Sequence, residues 1–176
     1  MVTSSILSPS DCSPQAVADF EDLVTKYGTV DPEGLTQRIR EASRLLFLRE
    51  SNGRLVGVGA LKRPQLGYRR KVFAKARATT PPDEYRVELG WVAVAKSHRG
   101  RGLWRRIIGQ LISVAENENL FATTRADERA MRFAADYGFR LAGKPYPGGR
   151  GYDLVLYLRN AKETKQAVLG DGQTSG

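Results

Sequence analysis

Glu88-Leu-Gly-Trp-Val-Ala-Val-Ala-Lys-Ser-His-Arg-Gly-Arg-Gly-Leu-Trp104 is the stretch on which the fold of this chain turns. Residues 87–94 are mostly apolar and read as a strand. Residues 95–102 carry His98, Arg99, Gly100, Arg101 and Gly102 and read as a loop. Residues 102–117 then have helical period, with Leu103, Ile107, Leu111 and Ala115 on one face and Ile108 and Ile112 beside them. A strand that runs through a Gly- and Arg-rich loop into an amphipathic helix is a recipe for an anion site. The helix start offers unpaired N–H groups and the positive end of its dipole. Gly100 and Gly102 let backbone come close to a phosphate, and Arg99, Arg101, Arg105 and Arg106 add charge.

Two other phosphate loops fail against the sequence. A Walker A loop needs Gly, four residues, then Gly-Lys and Ser or Thr, and no segment fits. Gly57-Val58-Gly59 lacks the third glycine of a dinucleotide loop and lies inside a strand pattern.

Working outward, residues 45–48 and 55–61 are apolar runs around Ser51-Asn52-Gly53, a hairpin signal. Upstream, Ser13-Pro14-Gln15 starts a helix whose stripe is Ala16, Phe20, Leu23, Val24 and Tyr27, closed by Gly28. Asp31-Pro32-Glu33 repeats the start signal, with Leu35, Ile39 and Ala42 on one face. Residues 62–83 show no clean period and read as a long loop with a short helix near residues 70–76. Downstream, residues 120–124 read as a strand, 127–137 as a helix closed by Gly138, and 139–142 and 152–158 as strands around a turn at 145–151. A frayed tail is expected from Asn160 onward.

The 176 residues, 41% hydrophobic and 27% charged, suit a single globular domain over residues 1–159. No apolar run reaches the roughly 18 residues of a spanning helix, and residues 1–10 lack a secretory pattern. Cys12, the only cysteine, excludes an internal disulfide and suits a reducing cytoplasm. The net charge is +9, and residues 62–77 hold Lys62, Arg63, Arg69, Arg70, Lys71, Lys75 and Arg77 with no acid among them. Such a run is either a solvated face or an attractor of anions.

At Arg99-Gly100-Arg101-Gly102-Leu103-Trp104 the chain resembles the GNAT superfamily of acyl-CoA-dependent N-acyltransferases. The hairpin before the loop, and Asp127 to Tyr137 with Gly138-Phe139 after it, resemble the family in the same order. The resemblance covers residues 45–158. It implies an α/β (α+β) fold: a mixed, mostly antiparallel twisted sheet of six to seven strands with helices on both faces. It implies acetyl-CoA as co-substrate, no metal, and an amine on a small molecule or peptide as acceptor. Val92, Ala93 and Val94 would pair with the pantetheine arm, and Arg99, Gly100, Arg101, Gly102, Leu103, Trp104 and Arg105 would hold the pyrophosphate.

The chain also departs from the family. Trp104 replaces a small residue and reads as a core side chain beside Ile107 and Ile108. Asp127 stands where Asn is frequent, and Ala134 where the family often has the tyrosine that protonates the thiolate. Tyr137, one turn on, is the substitute acid, with Tyr146 and Tyr152 as others. Glu88 is the candidate base, acting through water; its competing reading is a surface carboxylate paired with Arg86 or with a neighbouring strand. His98 reads as a structural ring in the loop. The basic run of residues 62–77 is expected to border the acceptor and favour anionic ones. Three functions compete: acetyl transfer to an amine, nucleic-acid binding or transfer to an RNA-linked substrate, and CoA binding without catalysis. Whether the chain acts as a monomer or homodimer is open.

Overall fold

The computed structural model describes residues 1–127, 135–149 and 151–162. Its centre is a seven-stranded sheet: β1 (Val2–Leu7), β2 (Arg44–Glu50), β3 (Leu55–Lys62), β4 (Val87–Val94), β5 (Leu120–Arg125), β6 (Arg140–Pro147) and β7 (Asp153–Arg159). The spatial order is β1-β2-β3-β4-β5-β7-β6. All neighbours are antiparallel except β4 and β5. The mixed, mostly antiparallel sheet expected from the sequence is therefore what forms.

Among the described residues four α-helices cover it: α1 (Pro14–Tyr27), α2 (Leu35–Arg40), α3 (Leu66–Lys75) and α4 (Leu103–Val114). Helix α1 begins where Ser13 accepts a hydrogen bond from the Ala16 N–H (3.2 Å) and Pro14 takes the first position. It buries Val17, Phe20 and Val24 with α2 against Phe47, Val58, Ala60 and Ala93. On the opposite face α4 buries Leu103, Ile107, Ile108 and Leu111 against Leu46, Val56, Val87 and Leu89. Helix α3 joins the α1 side of the sheet through Val72 and Phe73, which pack with Tyr85, Phe121 and Leu156.

Three elements differ from the sequence expectation. Residues 2–7 form an edge strand. Their residues alternate between part-buried and exposed over most of its length, and β1 gains its stability by pairing along all of β2. The expected loop at residues 62–83 contains the full helix α3. Its periodicity was hidden because buried Arg69 takes a core-facing place beside Val72 and Phe73. Strand β6 runs through Pro145, into what reads as a turn. Proline is tolerated because β6 is the sheet's edge and bulges between Ala142 and Tyr146. There Gly143 takes φ +70° and the Lys144 N–H donates to the Ala76 carbonyl at 2.7 Å, which ties β6 to the end of α3. The helix expected at residues 127–137 lies largely outside the described residues; residues 135–137 form a single 3₁₀ turn.

The Gly57-Val58-Gly59 pattern has a packing purpose. A Cβ on Gly59 would stand 2.5 Å from Ile107 Cγ2 and 3.0 Å from Leu111 Cδ1, so α4 seats directly on β3. Gly59→Ala should therefore overpack the buried interface and cost about 1–3 kcal/mol. The urea unfolding midpoint is the measurement, and an unchanged midpoint would mean that α4 is not held this close.

Candidate functional site

The site begins where two parallel strands stop pairing. β4 and β5 meet at Val87↔Leu120 and Glu88↔Phe121, and no further rung is formed. β4 meanwhile continues along β3 with a bulge, since Ala60 faces Gly90 but Val58 faces Ala93. The extra residue puts Trp91 in the left-handed region at φ +51°, a costly conformation for an indole-bearing residue. The bulge also exchanges faces. Val87 and Leu89 pack with α4, and beyond the bulge it is Val92 and Val94 that do so, while Trp91 and Ala93 turn to α1. The edge of β4 that faces β5 is thus left without a strand partner over Val92, Ala93 and Val94.

The loop that follows leads to the start of α4. Gly100 and Gly102 have φ +76° and +73°, with no heavy atom within 4 Å of where a Cβ would be. Gly102 is the N-cap residue and no side chain caps the helix. The N–H groups of its first turn therefore have no side-chain partner. Arg99 and Arg101 are exposed beside them. Arg99 donates to the Val94 carbonyl (3.3 Å) and lies over the Tyr27 ring (5.9 Å). His98 is buried and held between Ser97 Oγ (2.9 Å) and Glu50 Oε1 (3.1 Å), so it braces the loop against β2, in keeping with a structural ring. Leu103 is buried and Trp104 part-buried in the α4 cluster, the core placement read for Trp104. Arg106 points away from the loop and donates to the Val2 carbonyl (2.8 Å) and Ser4 Oγ (3.3 Å). It clamps β1 and does not add to the loop's charge.

Glu88 sits at the base of the opening and is buried. Its Oε1 accepts from Thr123 Oγ1 of β5 at 3.3 Å. Its Oε2 lies 2.7 Å from Lys62 Nζ. The partner is Lys62 on the neighbouring strand β3, one of the two partners considered from sequence, the other being Arg86. Burial pushes the Tyr68 hydroxyl well up, and the Glu88 charge and Tyr146 add to the rise. Burial, then Glu88, pushes the Tyr146 hydroxyl up to about 12. Glu88 thus lies among two neutral phenols, a threonine and a lysine.

Tyr137 lies at a different place. Its hydroxyl donates to the Arg105 carbonyl in the first turn of α4 (3.2 Å), beside the glycine loop. Among the described residues it shares no hydrogen bond with Glu88. Tyr152 stacks under the Arg125 guanidinium (4.6 Å), and Ala134 lies outside the described residues. Within the basic run, buried Arg69 donates to the carbonyls of Pro82 (2.7 Å) and Tyr85 (3.3 Å) and Arg70 pairs loosely with Asp83 (3.8 Å). These two hold α3 to the segment before β4. Lys62, Tyr68 and Thr123 went unassigned in the sequence. Lys62 and Tyr68 stood in the segment read as a loop, and Thr123 shows its place only once β5 is set beside Glu88.

The sequence model of the acetyltransferase (GNAT) family matches residues 14–139. An uncharacterized protein of Mycobacterium leprae (strain TN) is 36% identical over 87 residues, 47% of this chain and 23% of that protein. The match spans less than a quarter of that relative. Among solved structures, the ribosomal-protein-S18-alanine N-acetyltransferase of Escherichia coli is 16% identical, with 94% of this chain and 98% of that one covered at a TM-score of 0.66. An acyl-CoA N-acyltransferase of Pseudomonas aeruginosa is 15% identical over 90% and 99%, at 0.66. ElaA of Escherichia coli is 15% identical over 91% and 100%, at 0.65. At these identities the structural likeness speaks for the fold.

The Tyr146 environment has a measurable consequence. Its folded-state value of about 12 lies above the ordinary value near 10. As pH rises the unfolded chain loses this proton first, so stability present below about pH 10 should fall through about pH 12. Tyr146→Phe should flatten that part of the alkaline decline, read as urea midpoints at about pH 9 and 11. An identical decline in both proteins would place Tyr146 in water.

Proposed function

This chain belongs to the acetyltransferase (GNAT) family, and on that footing we propose that it transfers an acetyl group from acetyl-CoA to a primary amine. The observation that carries the reading is the joining of two features by one strand. β4 opens away from β5 at Glu88 and leads straight into an uncapped helix start with two left-handed glycines. The residues present fit the co-substrate. The first-turn N–H groups of α4, with Gly100, Arg101 and Gly102, would hold the pyrophosphate, helped by Arg99 and Arg105. The free backbone edge of Val92, Ala93 and Val94 would take the pantetheine arm as a strand takes a neighbour. Leu103 and Trp104 support the helix from the core side. When bound, acetyl-CoA supplies the acetyl group as an activated thioester.

The residues of the chain then manage protons. An amine attacks only after its ammonium has lost one. Glu88 is the base in this reading, because it is a buried carboxylate at the point where β4 parts from β5. Tyr137, the acid candidate, stands at the first turn of α4, on the proposed pyrophosphate side, so in this reading the leaving thiolate takes its proton from solvent. The reading asks for no metal. The lone Cys12 supports a reducing cytoplasmic setting. Among the described residues no helix is long and apolar enough to cross a membrane. Nucleic-acid binding is the weaker reading, because buried Arg69 of the basic run is spent on the Pro82 and Tyr85 carbonyls within the chain.

Two variants test the parts separately. Gly102→Asp puts a carboxylate at the anion site and a side chain where φ is +73°. Calorimetry should show acetyl-CoA affinity lost with the thermal midpoint of the domain largely kept, and unchanged affinity would remove the loop from the site. Glu88→Gln should keep acetyl-CoA affinity and lower turnover of amines by 10²–10⁴-fold, most visibly near neutral pH. Equal turnover at every pH would make Glu88 structural.

A further inference from the structure

Lys62 is the last residue of β3, and its side chain crosses β4 over Gly90. A Cβ on Gly90 would stand 3.0 Å from Lys62 Cε and 3.2 Å from Nζ, so the end of the lysine lies close over the glycine. Nζ ends 2.7 Å from Glu88 Oε2 and 5.0 Å from the centre of the Trp91 ring. Gly90 and Trp91 belong to the bulge, just past the rung where β5 leaves β4 and just before Val92. A primary amine of the chain itself is therefore held against the proposed base, at the entrance to the proposed pantetheine edge. The Lys62 side chain keeps 17% of its surface exposed and Glu88 only 3%, so an incoming group meets the lysine first.

A purely structural counter-ion would be served as well by arginine, which cannot give up its proton. Lysine can, and it then becomes a nucleophile. We propose that Lys62 is an acyl acceptor, modified on Nζ by the chain's own acetyl-transfer activity. The inference rests on the functional reading above and names an internal substrate for it. Glu88 takes one proton from the Lys62 ammonium. The neutral amine attacks the thioester carbonyl carbon of acetyl-CoA, an N–C bond forms and the C–S bond breaks. The sulfur leaves with the bonding pair and ends as the CoA thiol with a proton, and the second ammonium proton is lost to solvent. The products are Nε-acetyl-Lys62 and CoA. Acetylation removes the positive charge beside Glu88 and Trp91, so the modified chain carries a neutral amide where the acceptor's ammonium would otherwise meet the base.

The experiment uses the full chain with acetyl-CoA and no added amine, read by intact mass and peptide mapping over time. The expected result is one acetyl group per chain, on Lys62, gained at least tenfold faster than on exposed Lys71 and Lys75, with saturation in acetyl-CoA. The preference should vanish when the chain is unfolded in urea. Lys62→Arg should abolish the single addition, and Glu88→Gln should slow it in step with amine turnover. If amines are turned over and acetyl-CoA binds, yet Lys62 is labelled no faster than Lys71 and Lys75, the inference is overturned and the functional reading stands. If labelling of Lys62 is equally fast with Glu88→Gln, or in urea, the modification is ordinary chemical acetylation and the inference is likewise overturned. If calorimetry detects no acetyl-CoA binding, the functional reading falls and takes this inference with it.

Discussion

Two rungs of parallel pairing, at Val87 and Glu88, are all that joins the two halves of the sheet. On one side lie four strands in antiparallel order, and on the other three. Everything of chemical interest follows from the pairing ending there. Had β4 and β5 stayed paired, the backbone of Val92 to Val94 would be consumed by the ladder. Because they part, the same backbone is left with an unpaired edge inside the molecule. Natural sheets seldom leave such an edge without use. The bulge at Trp91 contributes by turning β4 about its own axis while leaving it attached to β3. A left-handed tryptophan is strained, and the strain is compensated by packing of its ring against Phe20, at 6.3 Å between centres, and by the cation of Lys62.

The parting strands need a support that does not itself fill the gap, and α4 provides it. It lies close on β3 because Gly57 and Gly59 present no side chains to Ile107. That close seat fixes where the helix starts, and hence where its unpaired N–H groups point. His98 and Arg106 hold the assembly at its two ends, on Glu50 of β2 and on Val2 and Ser4 of β1. The edge strand β1 is thus part of what positions the loop, although it is far from it in sequence.

Much of this was legible in the sequence, for a physical reason. The strand, loop and α4 are contiguous, so period, glycine placement and charge report them directly. The hairpin of β2 and β3 is equally local. What was illegible depends on distant partners. β1 is a short strand whose identity comes from β2. Helix α3 was masked by Arg69, whose buried guanidinium makes sense only beside the Pro82 and Tyr85 carbonyls. The environment of Glu88 was hidden too, because Lys62, Tyr68, Thr123 and Tyr146 come from four elements: β3, α3, β5 and β6. Glu88 itself could be singled out from the sequence because it sits a few residues before the loop. Its neighbours have no such anchor.

The charge pattern shows why the sum over a sequence misleads. A net charge of +9 suggests a surface that attracts anions broadly. In the folded chain several of the cations are committed. Arg69 caps carbonyls, Arg106 clamps β1, Arg70 faces Asp83, and Lys62 balances Glu88. The arginines that stay exposed at the loop are Arg99 and Arg101, one on each side of Gly100. Within the charged loop the field available to a phosphate is therefore narrow and placed at one helix start. Around Glu88 one carboxylate faces one ammonium, and the phenols of Tyr68 and Tyr146 are pushed further above their ordinary range. In the proposed function an acceptor would meet Trp91, Tyr68 and the Lys62–Glu88 pair at short range.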